Sequence, residues 1–214
     1  MDGRDELALS WSGGKDSALA LWTLRRQGTP PALLLTTFDE VSGTIPHHGV
    51  ALDLVREQAA AAGLPLVPIA IPPAAANETY EDRLRAAFAM PPLDGVGAVA
   101  FGDLFLADMR RYREQRMAEA GMRARFPLWG SDTHALARTC VAAGFRAVLV
   151  SVDGDRLAPE YAGRELDDAL LDALPPGVDP CGENGEYHTF VYDDPIYDRP
   201  LGRPEIGAPA HPVP

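Results

Sequence analysis

The chain has 214 residues, 46% of them hydrophobic, with a formal net charge of −12 and a pI of about 4.7. That length suits one domain, or one with a smaller companion, and the apolar content is enough for a real core. The acidity argues against broad electrostatic capture of nucleic acid or an anionic membrane, and no apolar run approaches the ~20 residues needed to span a bilayer.

In chain order, Leu7–Trp11 reads as a strand, Ser17–Gln27 as a helix and Ala32–Phe38 as a second strand. Val50–Ala62 reads as a helix closed by Gly63, Leu66–Ile71 as a third strand, and Glu78–Met90 as a helix. Ala98–Phe101 is a fourth strand, and Leu106–Ala120 a helix closed by Gly121. The run PLWGSD then leads into a helix at Thr133–Ala143, a strand at Ala147–Val152 and a helix near Asp167–Leu174. CGENGEYHTFVYDDP reads as a closing hairpin, because Asn-Gly is a strong two-residue turn signal. The βαβα alternation predicts an α/β fold with a doubly wound parallel sheet, its strands apolar on both faces, and a smaller C-terminal α/β subdomain. A soft boundary falls near residue 130, separating 1–130 from 131–200, with 201–214 a flexible tail.

Cys140 and Cys181 are far apart, which offers no disulfide framework, zinc quartet or C-x-x-C pair. A reducing cytoplasm fits that usage, and the charged start MDGRDE does not resemble a signal peptide. Cys140, on an alanine-rich helix face, reads as a small buried residue. Cys181 lies beside the glutamates of the closing segment.

The segment SWSGGKDS stands out. Lys15 is the only lysine among nineteen basic residues, which marks a place where a compact ammonium is needed and a planar guanidinium will not serve. Gly13 and Gly14 after a buried strand let backbone N–H groups approach an anion, and the following helix adds its positive end. Ser12, Asp16 and Ser17 are candidate caps for that helix. The spacing is not that of a Walker loop, and an acid follows the lysine. A carboxylate beside a phosphate is repulsive unless a cation lies between them, so Asp16 points to Mg²⁺. In an open parallel sheet this loop, Asp39–Glu40 and Gly102–Asp103 gather at the carboxyl edge of the strands, where such folds bind ligands. A second constellation, Glu183–Thr189, packs two carboxylates, an imidazole and a hydroxyl into seven residues that can orient an amine or accept its protons.

With these residues in view the sequence is recognisable. SGGKDS after a first strand resembles the PP-loop of the ATP pyrophosphatase superfamily, a Rossmann-like fold of the HUP type. FGDLFLADMRRYRE, PLWGSDT, GFRAVLVSVD, Gly163-Arg164 and DPCGENGEYHTFV together resemble the diphthine–ammonia ligase-like family over roughly residues 6 to 200. The sequence carries His188 where better-known members have an acid. The resemblance implies an ATP-dependent ligase that forms an amide through an adenylate, releasing AMP and pyrophosphate. It implies ATP and Mg²⁺ as cofactors and a small-molecule or protein carboxylate plus ammonia as substrates, and leaves a homodimer open; no membrane partner is expected, and the acidity of the chain argues against nucleic acid.

On that resemblance the nucleotide is expected at Ser12, Gly13, Gly14, Lys15, Asp16, Ser17, Phe38, His48, Gly102 and Asp103. Lys15, Asp16, Glu183, Glu186 and His188 are the expected catalytic set, Asp16 also holding Mg²⁺, with Asn184, Thr189 and Trp129 toward the substrate. Residues 1–130 would then bind ATP and 131–200 the substrate. Bland readings stay open for several positions. Asp103 could be a helix N-cap, Trp129 a core residue, and Arg110, Arg111, Arg113 and Arg116 a solvated face. His47 and His48, with no third ligand in sequence, make a poor metal site. A tRNA-modifying enzyme and a non-catalytic nucleotide sensor are the alternative functions.

Overall fold

The computed structural model describes residues 5–204. The first four residues, and 205–214 of the expected tail, lie outside the described residues. Five strands form a parallel sheet in the order β3-β2-β1-β4-β5. They are β1 (Glu6–Ser10), β2 (Leu33–Asp39), β3 (Leu66–Ile71), β4 (Val96–Ala100) and β5 (Arg123–Arg125). Helices α1 (Lys15–Arg26), α2 (Leu52–Ala61), α3 (Asn77–Phe88) and α4 (Ala107–Glu119) connect them. Beyond lie α5 (Thr133–Ala142), β6 (Arg146–Val152), α6 (Asp168–Ala173) and β7 (Tyr187–Asp193).

Burial on both faces explains the continuous apolar strands. Leu7 and Leu9 of β1, Leu34 of β2 and Ala98 of β4 belong to one core with α1, α2 and α5. Ala8, Leu33, Leu35, Val96 and Val99 belong to a second core, with Phe88 of α3 and Met117 of α4. Side chains alternate across a strand, so each strand supplies both layers. The first core also takes in Ala147, Val148 and Leu149 of β6 and Phe190 and Val191 of β7, so it is continuous across residue 130.

Three expectations need correction. CGENGEYHTFVYDDP is not a hairpin: β7 pairs antiparallel with β6, and no strand precedes its turn. Asn184-Gly185 does turn the chain, with Gly185 at φ 88°, but the partner strand comes from forty residues upstream, Leu149 of β6 pairing with Thr189. The short edge strand β5 was not expected, since RAR carries neither alternation nor an apolar run. Leu201, the first residue of the expected tail, is held, its N–H donating to the Tyr192 carbonyl at 2.7 Å.

Strand β1 lies between β2 and β4, so successive crossovers leave it in opposite directions. The crevice at its carboxyl end is therefore the switch point of the sheet. The loops after β1 and β4 meet there, so closely that a Cβ on Gly102 would lie 3.0 Å from the backbone carbon and oxygen of Asp16.

Candidate functional site

Helix α1 starts on Gly14, which supplies no side-chain cap, and none of Ser12, Asp16 and Ser17 caps it. The Ser12 hydroxyl accepts from Gly14 N–H at 3.3 Å, and the Ser17 hydroxyl donates back to the Gly14 carbonyl at 2.8 Å. The first helical N–H, that of Lys15, donates instead to Thr189 Oγ1 at 3.0 Å, from a residue 174 positions away on β7. A helix start leaves its first N–H groups without intrahelical partners, so β7 supplies the cap that the local sequence lacks.

The glycines serve packing as well as turning. Gly13 has φ 80°, and a Cβ on it would lie 2.6 Å from Gln58 Oε1. A Cβ on Gly14 would lie 2.8 Å from His48 Cε1 and 3.1 Å from the Thr189 carbonyl. Gln58, fully buried on α2, donates to the carbonyls of Gly13 at 2.9 Å and Val191 at 2.7 Å, and accepts from Trp11 Nε1 at 3.0 Å. Sequence reading missed it. A glutamine spaced among apolar helix residues was the available signal.

Lys15 is buried beneath this loop at 2% exposure. Its Nζ is 2.8 Å from Asp16 Oδ2, donates to the Cys181 carbonyl, and lies 5.5 Å from the centre of the Tyr187 ring. Burial disfavours the ammonium, but the Asp16 carboxylate together with Tyr187 and Cys181 more than offsets this, so Lys15 keeps its proton well above the ordinary range. A guanidinium is too broad for three partners so close together. Burial raises the carboxyl of Asp16, against the pull of Lys15.

The segment after α6 folds around its own carboxylates. Asp179 Oδ2 accepts from the N–H groups of Cys181 at 3.2 Å and Glu183 at 2.9 Å. Glu186, only 2% exposed, accepts from Asp179 N–H at 3.0 Å, Asn184 N–H at 3.1 Å and Asn184 Nδ2 at 3.0 Å. Burial pushes Glu186 up, and these donors, the Asn184 side chain foremost, hold its carboxyl below the ordinary value. Glu183 differs. Its Oε1 accepts from Leu104 N–H at 2.7 Å, but burial, with Asp16 and Asp103 nearby, pushes it up to about 7. The Cys181 thiol, 3.4 Å from the Thr133 carbonyl, is pushed by burial up to about 12 and is inert at neutral pH. Cys140 is fully buried, as expected.

A third histidine joins the adjacent pair. The His188 ring lies 4.8 Å from that of His48 and 5.9 Å from that of His47. His48 Nδ1 is 3.0 Å from the Thr189 carbonyl. Burial lowers His48 to about 3, helped by His188, and His188 to about 4, helped by His47 and Lys15. Both rings are neutral at pH 7. Among the described residues no three His, Cys, Asp or Glu groups are arranged to hold a metal by themselves.

These pieces surround an open cavity of about 310 Å³. Of the residues expected at the site, Ser12, Lys15, Asp16, Ser17, His48, Gly102, Asp103, Glu183, His188 and Thr189 line it. Gly13 and Gly14 shape the loop from behind. Asn184 and Glu186 stand inside the 179–186 turn and do not line the cavity. Phe38 packs against the first core. Trp129 makes an edge contact with Phe126 and carries Arg110 over its face at 4.7 Å. Asp103 is not a helix cap, since α4 begins at Ala107 with Leu106 as its N-cap. The four arginines do not share a face: Arg113 lines the cavity, Arg116 pairs with Glu81 and Glu119, and Arg111 pairs with Asp108 in solvent.

Comparison with known proteins gives a consistent answer. Residues 6–124 match the diphthamide synthase N-terminal domain, and 132–206 the diphthamide synthase C-terminal domain. Proteins named diphthine–ammonia ligase are similar. The one from Danio rerio is 31% identical over 51% of this chain and 44% of its own length. The one from Schizosaccharomyces pombe is 30% identical over 48% of this chain and 18% of its own. This chain thus spans less than half of either relative. The one from Mus musculus is 26% identical over 89% of this chain and 79% of its own. Among the described residues, no helix is long and apolar enough to cross a membrane.

Proposed function

The chain belongs to the diphthamide synthase family, and on that premise we propose that it is an ATP-dependent, amide-forming ligase. A substrate carboxylate oxygen attacks the α phosphorus, the bond to the bridging oxygen breaks, and pyrophosphate leaves. Ammonia then attacks the acyl carbon of the adenylate, the nitrogen loses a proton, and AMP departs. Ammonia as nitrogen donor and a carboxylate as acceptor are carried over from the activity after which the relatives are named. The acceptor is a small molecule or a protein side chain, in the cytoplasm.

One observation carries this reading: the glycine loop and the Asp179–Thr189 segment close around a single cavity, joined by the Lys15–Thr189 bond. The loop amides, the start of α1 and the Lys15 ammonium favour charge on the departing pyrophosphate. Asp16 Oδ1 is buried without a hydrogen-bond partner and Asp103, ion-paired with Arg113, lines the same cavity, which fits carboxylates that would hold Mg²⁺ while phosphate oxygens fill its remaining positions. Bound there, the cation would offset phosphate charge. Glu183, with its carboxyl near 7, is matched to accept the proton of the incoming nitrogen at neutral pH. His188 and His48, neutral and lining the same cavity, orient that nitrogen by hydrogen bonding. Glu186 and Asn184 act through the turn they hold. Residues up to 130 carry the nucleotide, and 131–200 supply the groups that meet the ammonia.

The test is product identity. The protein is incubated with Mg-ATP, ammonium and a cell extract, with Lys15→Ala as control, and the nucleotides are separated. AMP and pyrophosphate, absent in the variant, are expected. ADP and phosphate dependent on Lys15, or ATP that binds and stays intact, would overturn the reading.

A further inference from the structure

One wall of the cavity plays no part in the steps above. It is the inner side of α4 with its N-cap residue, where Leu106, Met109 and Arg113 line the cavity. Their spacing of three and then four residues is one stripe of a helix. Met109 and the adjacent Phe105 are each 40% exposed, two of only four large exposed hydrophobic side chains among the described residues. An apolar rim on an otherwise polar cavity marks a place for an apolar ligand body.

Arg113 ends that stripe. Its guanidinium lies over the Phe101 ring, 4.4 Å from the ring centre. Nε is 2.9 Å from Asp103 Oδ2 and donates to Oδ1 at 3.1 Å. Asp103 and Phe101 together fix the plane of the fork. Among the described residues, Nη1 and Nη2 have no partner. Lys15, the other cation lining the cavity, is turned toward Asp16 and the Cys181 carbonyl. Arg113 is therefore the cation whose donors remain open to a ligand, and an oriented guanidinium edge matches a carboxylate with two parallel hydrogen bonds.

We propose that this wall is the acceptor subsite: Arg113 takes the carboxylate to be activated, and Leu106 and Met109 receive an apolar body attached to it. The proposal rests on the ligase reading and narrows its substrate class to organic acids with an aliphatic or aromatic body.

Binding tests it without the natural substrate. The full chain is loaded with α,β-methylene-ATP, which cannot be cleaved between the α and β phosphates. Hexanoate, phenylacetate, acetate and hexanamide are then titrated by ligand-observed NMR. Hexanoate and phenylacetate are expected to compete with each other and to bind at least tenfold more tightly than acetate or hexanamide. Arg113→Gln should weaken both acids at least tenfold, Arg113→Lys should recover part of that, and Met109→Ser should weaken them several-fold. Nucleotide affinity should stay within twofold throughout, with circular dichroism confirming the fold. Equal binding of acid and amide, an Arg113→Gln variant that binds acids as wild type does, or one that loses nucleotide to the same degree would each overturn the subsite. Nucleotide binding with no acid binding would overturn it too and leave the ligase reading standing. Failure of the wild type to bind nucleotide would instead remove the ligase reading.

Discussion

Replacing Gln58 by leucine isolates the network that shapes the glycine loop. Leucine is close to glutamine in volume, so the change removes hydrogen bonds without opening a large void. The Trp11 indole N–H loses its acceptor, at 3.0 Å in the wild type, and becomes a buried unsatisfied donor costing about 1–3 kcal/mol. The Gly13 carbonyl keeps the Val191 N–H at 3.0 Å, so its loss and that of the Val191 carbonyl add only about 1 kcal/mol. The more apolar side chain returns about 1 kcal/mol. The net expectation for Gln58→Leu is a loss of about 1–3 kcal/mol, or roughly 2–12 °C in Tm for a chain of this size. Urea unfolding measures it, alongside ATP affinity, which should fall because the Gly13 carbonyl is no longer held from α2. A cycle with Trp11→Phe should be strongly non-additive, since each single variant strands the partner of the other. Unfolding free energy within about 0.5 kcal/mol of wild type, with unchanged ATP affinity, would refute the reasoning.

Thr189→Val removes the acceptor of the Lys15 N–H. It should cost about 1–2 kcal/mol and weaken nucleotide binding, both restored by Thr189→Ser, as read by urea unfolding and nucleotide titration. Gly14 has φ −86°, which alanine accepts, so Gly14→Ala tests close approach alone, to His48 and the Thr189 carbonyl, at about 1–3 kcal/mol and with loss of nucleotide binding. Gly63→Ala meets nothing within 4 Å but needs φ 66°, so it should cost about 1 kcal/mol in unfolding and leave nucleotide affinity alone. Asp194 is buried with Oδ2 unpartnered, and burial raises its carboxyl from 3.8 to about 7. The folded chain then holds a proton that the unfolded chain has released, so its stability contribution falls as pH rises from about 4 to 7. Asp194→Asn keeps an oxygen for the N–H groups of Ile196 and Tyr197. It should gain about 1–3 kcal/mol over wild type at pH 8 and little at pH 4, measured by unfolding at both values.

Much of the architecture is legible in the residues. LALS, LLLTTF, LVPIAI and VGAVA are apolar without alternation, which fits strands covered on both faces, and the amphipathic runs between them give the crossovers. That order places the turns after β1 and β4 at one edge, so the lone lysine, its glycines and Gly102-Asp103 could be assigned to one crevice from sequence. Glu183, His188 and Thr189 were recognisable by chemistry and by resemblance.

What tertiary structure alone decided is which of these groups meet, and how. Glu183 and Glu186 sit three residues apart in one motif, yet one reaches the Leu104 amide beside the cavity and the other ties off its own turn. Four arginines on one helix take separate roles: Arg113 lines the cavity, Arg110 lies over Phe126 and Trp129, Arg116 pairs with Glu81 half-buried, and only Arg111 is exposed. Thr189 caps a helix 174 positions away, and Gln58 joins α2 to the glycine loop and to β7. Local periodicity and turn preference act over a few residues and so appear in the sequence. The pairing of β7 with β6 and its seating against the glycine loop follow from burying one continuous core, a property of the whole chain that no single segment carries.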